Sequence, residues 1–198
     1  MPVPRILVFA GSIRTGSFNA ALAALAAKEL ALAGAEVTRI SLADYPMPLY
    51  DADLEAKSGQ PEHAVKLKQM MMAHHGVFIA SPEYNASVTP LLKNAVDWVS
   101  RVHEGREVAL AAYRNRVFAL GGASNGQFGA MRSLMALRQI LELGCGALVI
   151  PEQIAVVRAA DAFDDTGHLK DERTASQLNA VVRRLIESAR QIMPWSAP

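Results

Sequence analysis

The chain has 198 residues, 51% of them apolar and 20% charged, enough for one sizeable core and against global disorder. Its 20 Lys and Arg nearly balance 19 Asp and Glu, a formal charge of +1, so the charge balance points to neither nucleic acid nor an acidic membrane. A single cysteine, Cys145, excludes an intrachain disulfide, reads as a small buried hydrophobe and fits a reducing cytoplasm.

Short apolar runs alternate with longer stretches of helical spacing. Arg5–Ala10 reads as a buried strand and is too short for a signal-peptide core. Phe18, Leu22, Leu25 and Glu29 then follow helical spacing, Glu36–Ile40 forms a second strand, and Pro61–His74 a helix with Pro61 in its first turn. Gly76–Ala80 is a third strand, and Leu92, Ala95, Val96 and Val99 mark a helix over Thr89–Arg101. Arg116–Leu120 is a fourth strand, Met131–Leu143 a helix and Ala147–Ile150 a fifth strand. A last helix, starting near Asp171, carries Leu178, Val181, Val182, Leu185 and Ala189 on one face. Ser41–Gln60 and Ala159–Lys170 read as loops, the first long enough to suggest function. The methionine run Met70–Met72 reads as core and helix surface. No apolar run approaches the ~20 residues of a membrane span, so a soluble protein is expected. The alternation predicts an α/β chain, one domain over 1–198, with five parallel strands and helices on both faces of the sheet.

In such a sheet ligands bind beyond the carboxyl ends of the strands, where three loops stand out. Gly11–Asn19 follows the first strand and opens the first helix. Glycines let its backbone N–H groups approach a ligand, Ser12, Ser17 and Asn19 add short donors, and Arg14 suits a phosphate. Ser17-Phe18 stands where a Walker loop needs Lys-Ser/Thr, and G-x-G-x-x-G is absent, so a monophosphate ester fits better than a pyrophosphate. The plainer reading leaves Ser17 as a helix cap. Ser81–Pro90 follows the third strand: Pro82 restrains it, Tyr84 offers a flat face, and the N–H groups of Glu83 to Asn85 can meet a flavin's pyrimidine edge. Gly121–Gly129, after the fourth strand, holds four glycines, a sign of close approach to a ligand or to another backbone.

Gly11-Ser12-x-Arg14-x-x-Ser17-x-Asn19, Pro82-Glu83-Tyr84-Asn85-x-Ser87 and Leu92-Lys93-Asn94-Ala95-x-Asp97-Trp98-x-Ser100-Arg101 together resemble the NADPH-dependent FMN reductase family, which includes bacterial chromate- and quinone-reducing flavoproteins and azoreductases. Gly129-Ala130-x-Arg132 is similar too, although many relatives have Gly-Gly there. The likeness covers roughly residues 5–190. It implies a flavodoxin-like three-layer sandwich with strand order 2-1-3-4-5. It also implies an FMN phosphate at Ser12, Arg14, Ser17, Phe18 and Asn19, and a flavin ring against Pro82, Glu83, Tyr84 and Asn85 with Ser87 and Ser124 nearby. Members are commonly homodimers or homotetramers with the flavin near a subunit boundary.

The implied activity is NAD(P)H oxidation through bound FMN, with ping-pong transfer to a small acceptor such as a quinone, free flavin, azo compound, chromate or ferric complex. The cofactor carries the chemistry, so no side chain is assigned as catalytic. The alternatives are a flavodoxin-type electron carrier without turnover of its own, which usually needs a charged docking face, and a flavin-free scaffold. Leu91, Ala95, Trp98 and Val102 form a second apolar stripe on their helix. It suggests either a partner subunit anchored by Trp98 or a cover over the monomer's own core. No metal site is expected. Adjacent His74 and His75 cannot face one ion, His63, His103 and His168 are scattered, and Asp161, Asp164, Asp165 and Asp171 lack calcium-loop spacing.

Overall fold

A computed structural model describes residues 2–193. Five parallel strands, β1 (Arg5–Ala10), β2 (Glu36–Arg39), β3 (Gly76–Ala80), β4 (Val117–Ala123) and β5 (Leu148–Val156), form one sheet in the order β2-β1-β3-β4-β5. The expected flavodoxin-like order is therefore the observed one. Side chains alternate across the pleat and divide the core in two. Ile6, Val8, Phe78, Ala119 and Ile154 face α1 (Phe18–Leu32) and α7 (Glu172–Ile192). Leu7, Phe9, Ile79, Phe118 and Leu120 face α3 (Glu62–Met72), α4 (Pro90–Arg101) and α5 (Met131–Gln139). Both faces of the sheet are thus covered, and its central strands β1, β3 and β4 read as near-continuous apolar runs.

Two strands run on past their expected ends. β4 runs on through Gly121 and Gly122, because the strand needs glycine there. A Cβ on Gly121 would lie 2.7 Å from Phe78 Cζ, and one on Gly122 would lie 2.7 Å from Ala130 Cβ and 3.0 Å from Ser81 O. The close approach that these glycines signalled is to the protein's own core and backbone. β5 continues past Pro151 to Val156 through a register shift against β4 between Phe118 and Leu120. Arg138 stabilises this irregularity by donating to the carbonyls of Val149 (3.4 Å) and Ile150 (2.8 Å).

Half of Ser41–Gln60 is regular structure: a 3₁₀ turn at Leu42–Asp44, then α2 (Ala52–Ser58), capped by the Asp51 carboxylate. The family-like motif on α4 pins it down. Trp98 Nε1 (2.7 Å) and Asn94 Nδ2 (2.8 Å) both donate to Pro48 O, Asn94 Oδ1 accepts the Tyr50 N–H, and Arg101 pairs with Glu55. Trp98 is fully buried within its own chain, edge-on to Tyr50, and Val102 is buried with it. Of the two readings of that stripe, the intersubunit anchor is therefore corrected and the cover over the chain's own core holds: the segment before α2 covers Trp98, while Leu91 and Ala95 pack against the main core. Ala159–Ala162 forms a short α6 within the other expected loop.

Candidate functional site

The three loops meet at the carboxyl ends of β1, β3 and β4, tied by backbone bonds. Gly11 N–H donates to Ala80 O (2.8 Å), and Ser81 N–H to Gly121 O (2.7 Å). Thr89, the N-cap of α4, donates its hydroxyl to Gly11 O (2.7 Å). A Cβ at Gly11 would lie 3.0 Å from Leu92 and 3.3 Å from Pro82, so glycine allows the first and second loops to touch.

In the first loop, Ser17 is the N-cap of α1 and accepts the Ala20 N–H. The cap leaves the N–H groups of Phe18 and Asn19 without intrahelical acceptors, the usual state of a first turn. Arg14 folds over the loop, donating to Thr15 O (3.1 Å) and Gly16 O (3.2 Å), with its guanidinium 5.9 Å from the Phe18 ring centre. Ser12 Oγ accepts the Arg14 N–H. Free first-turn N–H groups, two hydroxyls and one exposed guanidinium make a donor set suited to a small dianion. A phosphate monoester fits these residues.

Asn19 has a different part from the one expected of its side chain. It is buried, its Nδ2 donates to Ala123 O (2.8 Å) and its Oδ1 accepts the Ala123 N–H (2.9 Å). The amide therefore clamps the end of β4 to α1, and only the Asn19 backbone N–H remains for an anion.

The second loop is a tight hairpin. Tyr84 and Ser87 exchange both backbone bonds at 3.0 Å, with Asn85 (φ 50°) and Ala86 (φ 62°) in the left-handed region between them. The Tyr84 N–H is thus already used, which leaves those of Glu83 and Asn85 as donors. The Tyr84 ring is exposed. The Glu83 carboxylate reaches α5: it accepts the Arg132 N–H (3.1 Å) and Arg132 Nε (2.6 Å), and forms an ion pair with Arg132 Nη2. Ser133, fully buried, donates to Pro82 O (2.7 Å) and meets Ser81 Oγ (2.7 Å). In the third loop, Ser124 Oγ accepts the Gly126 N–H, and Ser124 O accepts the Ala159 N–H. Gly129 and Ala130 both have positive φ (53° and 70°). The left-handed conformation at Ala130 costs alanine roughly 1–2 kcal/mol relative to glycine.

The model of the family described as NADPH-dependent FMN reductase matches residues 4–161, which include all three loops. The chain belongs to this family. It is 36% identical over 190 residues to an NAD(P)H-dependent FMN reductase of Pseudomonas aeruginosa, covering 91% of this chain and 96% of that protein. It is 35% identical over 181 residues to a quinone reductase of Escherichia coli, covering 88% and 89%. Among solved structures it resembles the flavoenzyme NAD(P)H:(acceptor) oxidoreductase of Paracoccus denitrificans, with a TM-score of 0.77, 27% identity, and 96% and 98% of the two chains covered.

In this FMN reductase family member, sequence reasoning passed over Thr89 and Ser133 as site supports, and it named Arg132 in a motif without its partner Glu83. Thr89 before Pro90 carries a cap-then-proline signal that could have marked it. Ser133 lies within an ordinary helical pattern and gives no such sign. The acidic loop is accounted for locally: Asp164 Oδ1 accepts from Thr166 and His168, and Asp171 caps α7. No group of three or more metal-ligating side chains occurs among the described residues. No helix among them is long and apolar enough to cross a membrane.

Proposed function

We propose that the chain is an FMN-dependent oxidoreductase that takes electrons from NAD(P)H and passes them to a quinone or another small acceptor. The observation that carries this reading is the junction of the anion-binding first loop with the Pro82 turn, two hydrogen-bonded neighbours at one sheet edge. Ser12, Arg14 and Ser17, with the N–H groups of Phe18 and Asn19, hold the FMN phosphate. Pro82, Glu83, Tyr84 and Asn85 lie along the ring, with Ser87 and Ser124 at its margin. When bound, the flavin supplies two-electron redox chemistry. The chain's own part is to fix the ring's position and, through the N–H groups of Glu83 and Asn85, to favour negative charge on its pyrimidine side.

The exposed Tyr84 and Phe128 are flat faces beside these loops. They suit a planar acceptor that takes the nicotinamide's place in a ping-pong cycle. Exposed Met131 and Met135 on the adjoining helix support assembly as a homodimer or homotetramer. The single, buried Cys145 and the lack of a spanning helix among the described residues support residence in the cytoplasm.

The test is direct. The purified protein is titrated with FMN, its visible spectrum recorded, and NADPH added with and without a quinone. A yellow protein that bleaches and recovers its colour on adding quinone supports the reading. A yellow protein that NADPH and NADH both fail to bleach makes it an electron carrier, and a protein that takes up no FMN makes it a scaffold.

A further inference from the structure

Beside the three loops, a hollow of about 460 Å³ opens at the carboxyl end of β5, between the exit of that strand and the start of α7. Arg158, Lys170 and Arg173 line it, together with Asp161 and Asp171. The carboxylate of Asp171 is engaged, accepting the Thr174 N–H (2.8 Å) and hydroxyl (2.6 Å). None of the three cations forms an ion pair within 4.0 Å among the described residues. Three exposed cations against the carboxylates of Asp161 and Asp171 leave the concavity with an excess of one positive charge, which favours an anion there. The two guanidinium groups are the side chains best matched to phosphate oxygens.

The hollow is coupled to the third loop. Ser124 N–H donates to Val156 O (3.0 Å), Ala159 N–H to Ser124 O (3.1 Å), and Ala160 N–H to Asn125 Oδ1 (2.8 Å). It therefore lies two strand spacings, about 10 Å, beyond β3 along the same edge of the sheet. A nicotinamide donor seated on a ring near β3 and β4 is a long polyanion, long enough for its far end to reach along that edge. In the direction of β2, the hollow lined by Ser12, Arg39 and Ser41 holds only about 80 Å³, and the hollow of about 480 Å³ lined by Asp44, Tyr45, His63 and Lys66 offers a single lysine, already paired with Glu62. Towards β5, the space and the unpaired cations occur together.

We propose that Arg158, Lys170 and Arg173 form a subsite for the phosphate monoester on the adenosine ribose of the donor, the dianion that NADPH carries and NADH lacks. This inference rests on the NAD(P)H reading above. It makes the chain selective for NADPH, by charge recognition at a place remote from the ring.

Two measurements on the full chain saturated with FMN test it, comparing the parent with an Arg158→Gln, Arg173→Gln double variant whose melting curve matches. Calorimetry with adenosine 2′,5′-bisphosphate and with 5′-AMP isolates the extra phosphate. The parent is expected to bind the bisphosphate at least about tenfold more tightly, and the variant to lose most of that difference. In turnover with a quinone, the ratio of kcat/KM for NADPH to that for NADH is expected to fall about tenfold in the variant. Equal binding of the two adenosine ligands by the parent, or a preference that survives in the variant, overturns the subsite. A parent that oxidises neither nucleotide refutes the function proposed above, and the calorimetry still decides the subsite.

Discussion

Replacing Asn19 with alanine should loosen the fold and the site together. The side chain is 3% exposed and makes two hydrogen bonds to the backbone of Ala123, at 2.8 and 2.9 Å. The substitution leaves a buried N–H and a buried C=O without partners, at a cost of about 1–3 kcal/mol each. A combined loss of about 3 kcal/mol corresponds to a drop in Tm of roughly 6–12 °C for a chain of this length. The same clamp connects the helix start behind the phosphate loop to the residue before Ser124, so FMN affinity falls as well. Asn19→Asp is no rescue, because it sets a carboxylate oxygen against the Ala123 carbonyl. Thermal melting with and without FMN reads both effects. An Asn19→Ala protein that melts within about 2 °C of the parent and binds FMN equally well would refute the clamp.

Other expectations follow from single contacts. Gly122→Ala places a methyl 2.7 Å from Ala130 Cβ and 3.0 Å from Ser81 O, and overpacking of this kind costs about 1–3 kcal/mol, readable by urea denaturation. Burial lowers the pKa of His74 below 6.5, and its ring bonds Met70 O (2.7 Å) and Thr38 Oγ1 (2.8 Å). The fold holds the neutral imidazole, so its contribution is complete above about pH 6.5 and declines as pH falls through that value towards the lower folded pKa. Urea midpoints at pH 7.5 and 5.5 should therefore differ more for the parent than for His74→Asn. Burial also pushes the Cys145 thiol up to about 11, so alkylation at pH 8 should be slow in the native protein and fast in urea.

Five buried strands alternating with helices were legible because the apolar runs of β1 and β3 and the helical spacing of α4 and α7 are strong, and the strand order was legible only through the family resemblance that the loop motifs carry. Register and strand ends were not. Pro151 reads as a stop, yet the strand passes it because Arg138, distant in sequence, supplies donors to the local carbonyls. Gly121 and Gly122 read as loop, since only the packed structure reveals the Phe78 ring and the Ala130 methyl that exclude a side chain. Trp98 shows the same limit. Its stripe was visible, but the cover came from Pro48 and Tyr50 in a segment without periodicity. Lys68 gave no signal at all: it is buried on α3 and paired with Glu104 (3.2 Å) and Glu107 of a later loop. Around the site, the residue types announced an anion and a flat ring. Which donors remain free depended on tertiary bonds, so Asn19 and Glu83 proved to be braces as well as neighbours of the proposed ligand.

The most direct measurement is a fluorescence titration of FMN into the parent and into an Arg14→Ala, Ser17→Ala double variant. Each charge-assisted bond to a phosphate is worth about 1.5–3 kcal/mol, so losing the guanidinium and one hydroxyl should weaken binding by at least about a hundredfold. Riboflavin, which lacks the phosphate, should bind both proteins alike. An unchanged FMN affinity in a correctly folded double variant would contradict the assignment of the first loop to the phosphate, and with it the placement of the ring beside Pro82.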